Sequence, residues 1–102
     1  MAFGFEEFKL SQRGQTIAAT LNDPSIVAAM ISMSQDGEPP VKVVGKNLTE
    51  QNMYLSDEEK RHVGRWVREV MEMHDWTTDG GADEINSPGA QFKEGAIYYR
   101  KK

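Results

Sequence analysis

The sequence predicts a small α+β domain with about three helices and a C-terminal β-hairpin. Two stretches, from residue 12 to 34 and from 57 to 75, repeat apolar side chains every three or four positions, which is helical spacing. The last quarter instead alternates short apolar runs with Gly-rich turns, as hairpins do. The length of 102 residues fits a single domain spanning 1–102.

Two helices are expected in the first third of the chain. Ser11 is a suitable N-cap for a helix over about 12–21, although Gly14 weakens that helix. Asp23 can cap a second helix from about Pro24 to Ser34, because a proline in the first turn sacrifices no hydrogen bond.

The strongest helix signal runs from about Asp57 to Asp75. Ser56 and Glu59 have the spacing of a capping box, and acidic residues fill the first turn, where the helix dipole favours negative charge. One broad apolar face follows at helical spacing, formed by Val63, Trp66, Val67, Val70, Met71 and His74.

Shorter elements are expected between and around these helices. The N-terminal cluster of Phe3, Phe5 and Phe8 is expected to pack on the core as a short strand or turn. Residues 38–40 predict an extended linker, 41–44 a short β-strand, and 47–52 one helical turn.

The final segment is expected to be β-structured. Residues 82–86 predict a brief strand, and 92–99 predict either two short strands about Gly95 or one bulged strand.

Composition excludes several classes of function. A net charge of −4 works against non-specific adhesion to phosphate or anionic lipid. The absence of Cys excludes disulfides, thiolate zinc sites and a Cys nucleophile. The N-terminus lacks the features of a signal peptide and no run is long enough to span a bilayer, so we expect a cytoplasmic protein without membrane contact.

The sequence shows no set of residues with the types and spacing of a catalytic site. His62 and His74 are twelve residues apart, which on one helix separates them by roughly 18 Å and about 120°. We therefore expect His62 to be solvated and His74 to lie at the edge of the core. The acidic residues from Asp75 to Glu84 lack the ligand spacing of an EF-hand loop. The chain is expected to be no enzyme and to hold no metal and no cofactor.

Three arginines form a stripe opposite the apolar face of the long helix, namely Arg61, Arg65 and Arg68. One interpretation is a solvated face with Arg65–Glu69 and Arg68–Glu72 pairs of about 0.2–0.5 kcal/mol each. The other is that the stripe binds phosphate or a partner's carboxylates. A second basic group, called here the basic end, contains Lys93, Arg100, Lys101 and Lys102. It could lie near the stripe, and this favours the binding interpretation.

Two adjacent tyrosines precede that basic end. Tyr98 and Tyr99 must point to opposite faces of a strand, so one of them is expected to be exposed. An exposed Tyr beside basic residues is either a recognition residue or a cover for the rim of the core.

The stretch His62–Val70, followed by Trp76 and by Gly95–Tyr99, resembles the winged-helix tail modules of phage-type primases and related phage and plasmid replication proteins. The resemblance covers residues 57–102. It implies a third helix in the major groove, carrying Arg61, Arg65 and Arg68, and a hairpin with Lys93 and Arg100 at the DNA backbone. The six carboxylates on the same helix depart from this pattern, because phosphate neutralisation dominates affinity for DNA.

Two functional hypotheses follow. The first is a non-catalytic module of winged-helix type, accessory or regulatory to nucleic-acid machinery, that binds through the stripe, Tyr98 and the basic end. The alternative is a small acidic protein-binding module, such as a mobile-element-encoded inhibitor of a host nuclease or defence complex, without nucleic-acid contact. In either case a homodimer is possible, because the Phe-rich N-terminus and Met-rich second helix could extend a core between two copies.

Overall fold

The computed structural model describes residues 4–78 and 98–102, which form five α-helices and a two-stranded antiparallel sheet. In chain order these are α1 (Phe5–Leu10), α2 (Gln12–Leu21), α3 (Pro24–Gln35), α4 (Val41–Glu50), α5 (Asp57–Met73), β1 (Trp76–Thr77) and β2 (Arg100–Lys101). Trp76 pairs with Lys101, and Thr77 pairs with Arg100. The predicted α+β class is confirmed at this level, with more helices than the three expected. None of the described helices is both long and apolar enough to cross a bilayer.

One side of α5 forms the centre of the core. Val63, Val67 and Met71 on this helix have no exposed surface. They belong to one cluster with fully or almost fully buried side chains of the four other helices, namely Phe8, Ile17, Leu21, Met30, Val41, Val44 and Leu48. The spacing 63, 67, 71 is the helical repeat that the sequence displays, so the periodic face of α5 is the face that packs.

The predicted helices α2, α3 and α5 are confirmed. In α5 both halves of the capping box form, because Ser56 Oγ accepts from the Glu59 amide at 3.2 Å and Glu59 Oε1 accepts from the Ser56 amide at 2.9 Å. The helix ends at Met73, two residues earlier than expected, because the chain turns at Asp75 with a φ of 67°.

The short strand predicted for 41–44 is wrong, since these residues begin helix α4. Val41, Val44 and Leu48 follow one another at helical spacing and are all buried. Pro40 is already in the right-handed helical region at the N-cap, so the predicted linker is not extended at its end. The helical turn expected over 47–52 is the last part of α4, which stops at Glu50.

The N-terminal Phe cluster is also helical rather than a strand or turn. Phe5 and Phe8 lie three residues apart in α1 and are both buried. Ser11 joins α1 to α2, because its hydroxyl donates to the Phe8 carbonyl at 2.6 Å and accepts from the Gly14 amide at 3.0 Å. Phe3, the strand expected over 82–86 and residues 92–97 of the β-structure expected over 92–99 lie outside the described residues. Tyr98 and Tyr99, at the end of that expected segment, precede strand β2 and are not part of it.

A charged contact ties α2 to the start of α5. Arg13 binds Glu59 through two nitrogens on one edge of its guanidinium group, with Nε 2.7 Å from Oε2 and a terminal nitrogen 3.2 Å from Oε1. The same terminal nitrogen donates to the Tyr54 carbonyl at 2.8 Å. Bidentate Arg–carboxylate pairs fix orientation as well as distance, so this contact sets the position of α2 against the capping box of α5.

Replacing Gly14 with Ala is expected to destabilise the fold. A Cβ built there would lie 1.9 Å from the Phe8 carbonyl oxygen, so the backbones of α1 and α2 would have to separate. The clash is expected to outweigh the better helix propensity of Ala and to cost roughly 1–3 kcal/mol in the free energy of unfolding. Gly4→Ala is the matched control, since its close neighbour is the flexible end of Glu7. Equal urea midpoints for the two variants would contradict this interpretation.

The Arg13–Glu59 contact is expected to make the free energy of unfolding depend on pH. Burial raises the pKa of the Glu59 carboxyl, but hydrogen bonds from Arg13 and Ser56 outweigh it and hold the pKa below its ordinary value of 4.5. A carboxyl whose pKa is lower in the folded than in the unfolded state stabilises the fold when the pH is above the unfolded-state pKa. That stabilisation is lost as the pH falls through the folded-state pKa.

Glu59→Gln should therefore differ from the wild type most above pH 4.5, and the difference should shrink in more acidic buffer. Urea denaturation across pH measures it. Glu7→Gln is the control, because the Glu7 side chain is exposed on α1. A constant difference between Glu59→Gln and wild type at every pH would count against the proposed role of the contact.

Candidate binding surface

The outer side of α5 lies next to the segment that contains the strand β2, and the two together are called here the α5–β2 face. Its residues are Arg61, Arg65, Arg68, Glu72, Tyr98, Arg100, Lys101 and Lys102. β1 begins three residues after α5 ends and pairs with β2, which places the basic end beside the last turns of α5. Lys102 secures this arrangement, since its amide donates to the Asp75 carbonyl at 2.9 Å and its Nζ lies 3.4 Å from the Glu72 carbonyl.

The three arginines of the stripe have different surroundings. Arg61 is exposed. Arg65 is also exposed, and its guanidinium carbon lies 4.5 Å from the centroid of the Phe5 ring on α1, a cation–π geometry. Arg68 is half-buried, with Nε 3.4 Å from Glu72 Oε2. The sequence predicts the stripe but not that α1 would border it.

Glu72 is a carboxylate held within the basic surface. In addition to Arg68, it accepts a hydrogen bond from Thr77 Oγ1 of β1 at 3.3 Å. Its backbone carbonyl receives Lys102. Arg68 of α5 and Thr77 of β1 both contact the carboxylate, so the negative charge lies between the stripe and β1.

Of the predicted helix pairs, Arg68–Glu72 is confirmed. Glu69, expected to pair with Arg65, instead lies 3.6 Å from Nζ of Lys9 on α1. The carboxylates of α5 therefore contact both neighbouring elements: Glu72 contacts β1, and Glu69 contacts α1.

The two tyrosines behave as expected of neighbours that point in opposite directions. Tyr98 is 62% exposed and Tyr99 is only 7% exposed. Burial raises the pKa of the Tyr99 hydroxyl; the nearby charge of Arg68 opposes this, and that of Glu72 adds to it. The buried side chain of Tyr99 therefore anchors residues 98–102, whereas the ring of Tyr98 is exposed to solvent.

The basic end is arranged around β1. Lys101 Nζ lies 5.5 Å from the ring centroid of Trp76, which is buried. Arg100 is exposed on β2. Lys93, the remaining predicted binding residue, lies outside the described residues.

One of the two histidines differs from its expected position. His62 is not simply solvated, because its ring stacks on Phe8 with centroids 5.2 Å apart and its Nε2 lies 3.6 Å from Glu58. His74 is exposed just after α5 and lies at the edge of the core, beside Leu21 and Val70, as expected. Within residues 4–78 and 98–102, no three His, Cys, Asp or Glu side chains come together in a group that could hold a metal ion.

Comparison with known proteins gives no relative: no family model, no curated protein and no solved structure matches this chain. Any function must therefore be argued from the geometry of the surface itself.

Substitution of Tyr99 is expected to separate the role of its ring from that of its hydroxyl. Tyr99→Ala should lower the free energy of unfolding by about 3 kcal/mol, because a buried aromatic ring is removed from beneath β2. Tyr99→Phe should change it little, because no described residue bonds the buried hydroxyl. Thermal denaturation of both variants measures this, and a loss for Phe as large as for Ala would show that the hydroxyl, not the ring, anchors the chain.

Proposed function

We propose that this chain is a non-catalytic protein-binding module and that its partner docks on the α5–β2 face. The observation that supports this most strongly is the carboxylate of Glu72, which contacts Arg68 and Thr77 within the otherwise basic surface. A surface built in this way presents alternating charge rather than a continuous basic field.

Such a surface is poorly suited to a phosphate backbone. Affinity for nucleic acid comes mainly from neutralising phosphates with Lys and Arg. Here Arg68 is already paired with Glu72, and a phosphate approaching them would meet the carboxylate. The net charge of −4 adds a repulsive field over longer distances.

The same surface suits a protein with a complementary pattern of charges. Arg and Tyr are enriched at protein interfaces, and Arg61 and Tyr98 are both exposed here. Mixed charge contributes mainly to specificity and to the association rate. We propose a protein of nucleic-acid machinery as the partner, with the chain as its accessory, regulator or inhibitor.

A second candidate function is direct binding of nucleic acid by a winged-helix domain. It is favoured by one observation: β1 begins three residues after α5 ends and pairs antiparallel with the basic strand β2. In that arrangement Arg61 and Arg65 would face the major groove, and the Arg100–Lys102 segment would lie at the backbone.

Binding to duplex DNA at increasing salt distinguishes the two functions. We expect no binding by the wild type even at low salt, measured by fluorescence anisotropy. Tight wild-type binding that weakens steeply with salt and is lost in Arg65→Glu would establish the second function instead. Glu72→Gln is informative there, since removing the carboxylate should strengthen a phosphate contact, whereas Glu50→Gln on α4 should not.

The protein-binding function has its own test with a purified partner recovered by affinity capture. Arg61→Glu is expected to weaken the complex by at least about tenfold, which corresponds to 1.4 kcal/mol. Lys46→Glu makes the same charge reversal at an exposed position of α4, and we expect it to leave the affinity unchanged. Equal affinities for wild type and Arg61→Glu would place the contact elsewhere on the molecule.

A further inference from the structure

Arg65 has different neighbours from the paired arginines of the fold. Arg13 is paired with Glu59, and Arg68 is paired with Glu72. Arg65 is exposed, and within the part of the chain that the structure describes it has neither an ion pair nor a hydrogen bond. Its positive charge is therefore not neutralised by the fold.

The guanidinium group of Arg65 is nevertheless held by an aromatic ring. Its central carbon lies 4.5 Å from the centroid of the Phe5 ring on α1. Phe5 is only 6% exposed and packs edge-on against Trp66, with ring centroids 6.3 Å apart at an angle of 90°. Arginine is attracted to the face of such a ring, and this contact uses none of its five N–H donors. A fixed ring therefore restrains the guanidinium group while leaving its donors available.

The nearest carboxylate on the same side of α5 is bound to another cation. Glu69, one turn after Arg65, lies 3.6 Å from Nζ of Lys9, which is also 3.8 Å from Glu6. Lys9 itself lies 4.8 Å from the centroid of the Phe5 ring. The two cations at this ring therefore differ, because two carboxylates neutralise Lys9 and no carboxylate of a described residue neutralises Arg65.

We propose that Arg65, positioned by Phe5, receives a single carboxylate of the protein that docks on the α5–β2 face. This assignment rests on the proposed function and adds to it the chemical group that the partner must supply. It also adds a residue of α1 to the binding site. Phe5 is a positioning residue, since it acts through Arg65.

The surroundings of Arg65 favour one carboxylate over a nucleic-acid backbone. A guanidinium group can bind either kind of oxyanion through two parallel hydrogen bonds. A backbone brings a row of phosphates, however, and its affinity comes from many such contacts. In one direction along α5 the row would meet Glu69 and Glu72, and in the other, beyond Arg61, the acidic first turn at 57–59. A single carboxylate requires only the one free guanidinium group.

Nuclear magnetic resonance of the arginine side chains in the full chain tests the positioning by Phe5. The ring current of Phe5 should displace the Nε–Hε signal of Arg65, and Phe5→Leu should abolish the displacement. Phe8→Leu is the matched control, because Phe8 is also a buried ring of α1 that packs edge-on against Trp66, whereas Arg65 lies over Phe5. Circular dichroism verifies that both variants fold. An Arg65 signal that Phe5→Leu leaves in place would overturn the proposal.

Acetate is the probe for carboxylate binding, and its titration into the wild type requires no variant to fold. Sodium acetate replaces sodium chloride at constant ionic strength, and Arg61, exposed on the same helix, is the internal reference. We expect acetate to shift the Arg65 signal further than the Arg61 signal. A short DNA duplex at low salt should leave the Arg65 signal unchanged. Equal shifts of the two signals with acetate, or any shift of the Arg65 signal with the duplex, would overturn the proposal.

The acetate titration can fail without the proposed function failing. If acetate does not select Arg65 but Arg61→Glu still weakens the complex with the captured protein, the partner docks on the α5–β2 face without a carboxylate at Arg65. If acetate does select Arg65, the same complex should lose about tenfold in affinity in Arg65→Lys, because lysine lacks the planar fork of donors. An unchanged affinity in Arg65→Lys would overturn the proposal.

Discussion

The burial of one side of α5 is the interaction on which the other features depend. Val63, Val67 and Met71 have no exposed surface, and burying such side chains contributes roughly 1.5–3 kcal/mol each. Since a helix has one rotation about its axis, burial of these residues fixes which side chains face outward. Arg61 and Arg65 are therefore exposed because of the core packing and not because of any contact of their own.

The same packing determines the electrostatic character of the exposed side. α1 lies along one border of the stripe, where Lys9 approaches Glu69 and Arg65 covers Phe5. β1 and the chain end lie at the other border, around Glu72. Exposed ion pairs of this kind contribute little to stability. Their consequence is that neither border leaves a continuous basic surface, and this is why we favour a protein partner over a nucleic acid.

Much of the fold could be predicted where local signals and packing agree. The capping box of Ser56 and Glu59 and the repeat of Val63 and Val67 place α5 correctly, because the same residues both start the helix and bury it. The strand prediction for residues 41–44 was wrong because three valines in four positions favour a strand on propensity alone. Their spacing with Leu48 suits a helix packed on the core, and tertiary packing outweighs the modest cost of β-branched residues in a helix.

The candidate surface could be predicted only in part. The positions of Arg61, Arg65 and Arg68 follow from the helical repeat, and the opposite directions of Tyr98 and Tyr99 follow from their adjacency. The contact between Phe5 and Arg65 could not be predicted from the sequence. It requires α1 to be a helix, and a six-residue segment is too short to show helical periodicity. The anchoring of Glu72 depends on pairing between segments that are more than twenty residues apart in sequence, which local spacing does not encode.

Photo-cross-linking from Tyr98 in living cells tests the central claim most directly, that the α5–β2 face binds a protein. A photoreactive phenylalanine analogue replaces Tyr98, and the same analogue at Ala19 on α2 is the control. We expect a discrete protein adduct from position 98 that resists nuclease and is absent from position 19. A nuclease-sensitive adduct from position 98, or the same protein adduct from both positions, would contradict the claim.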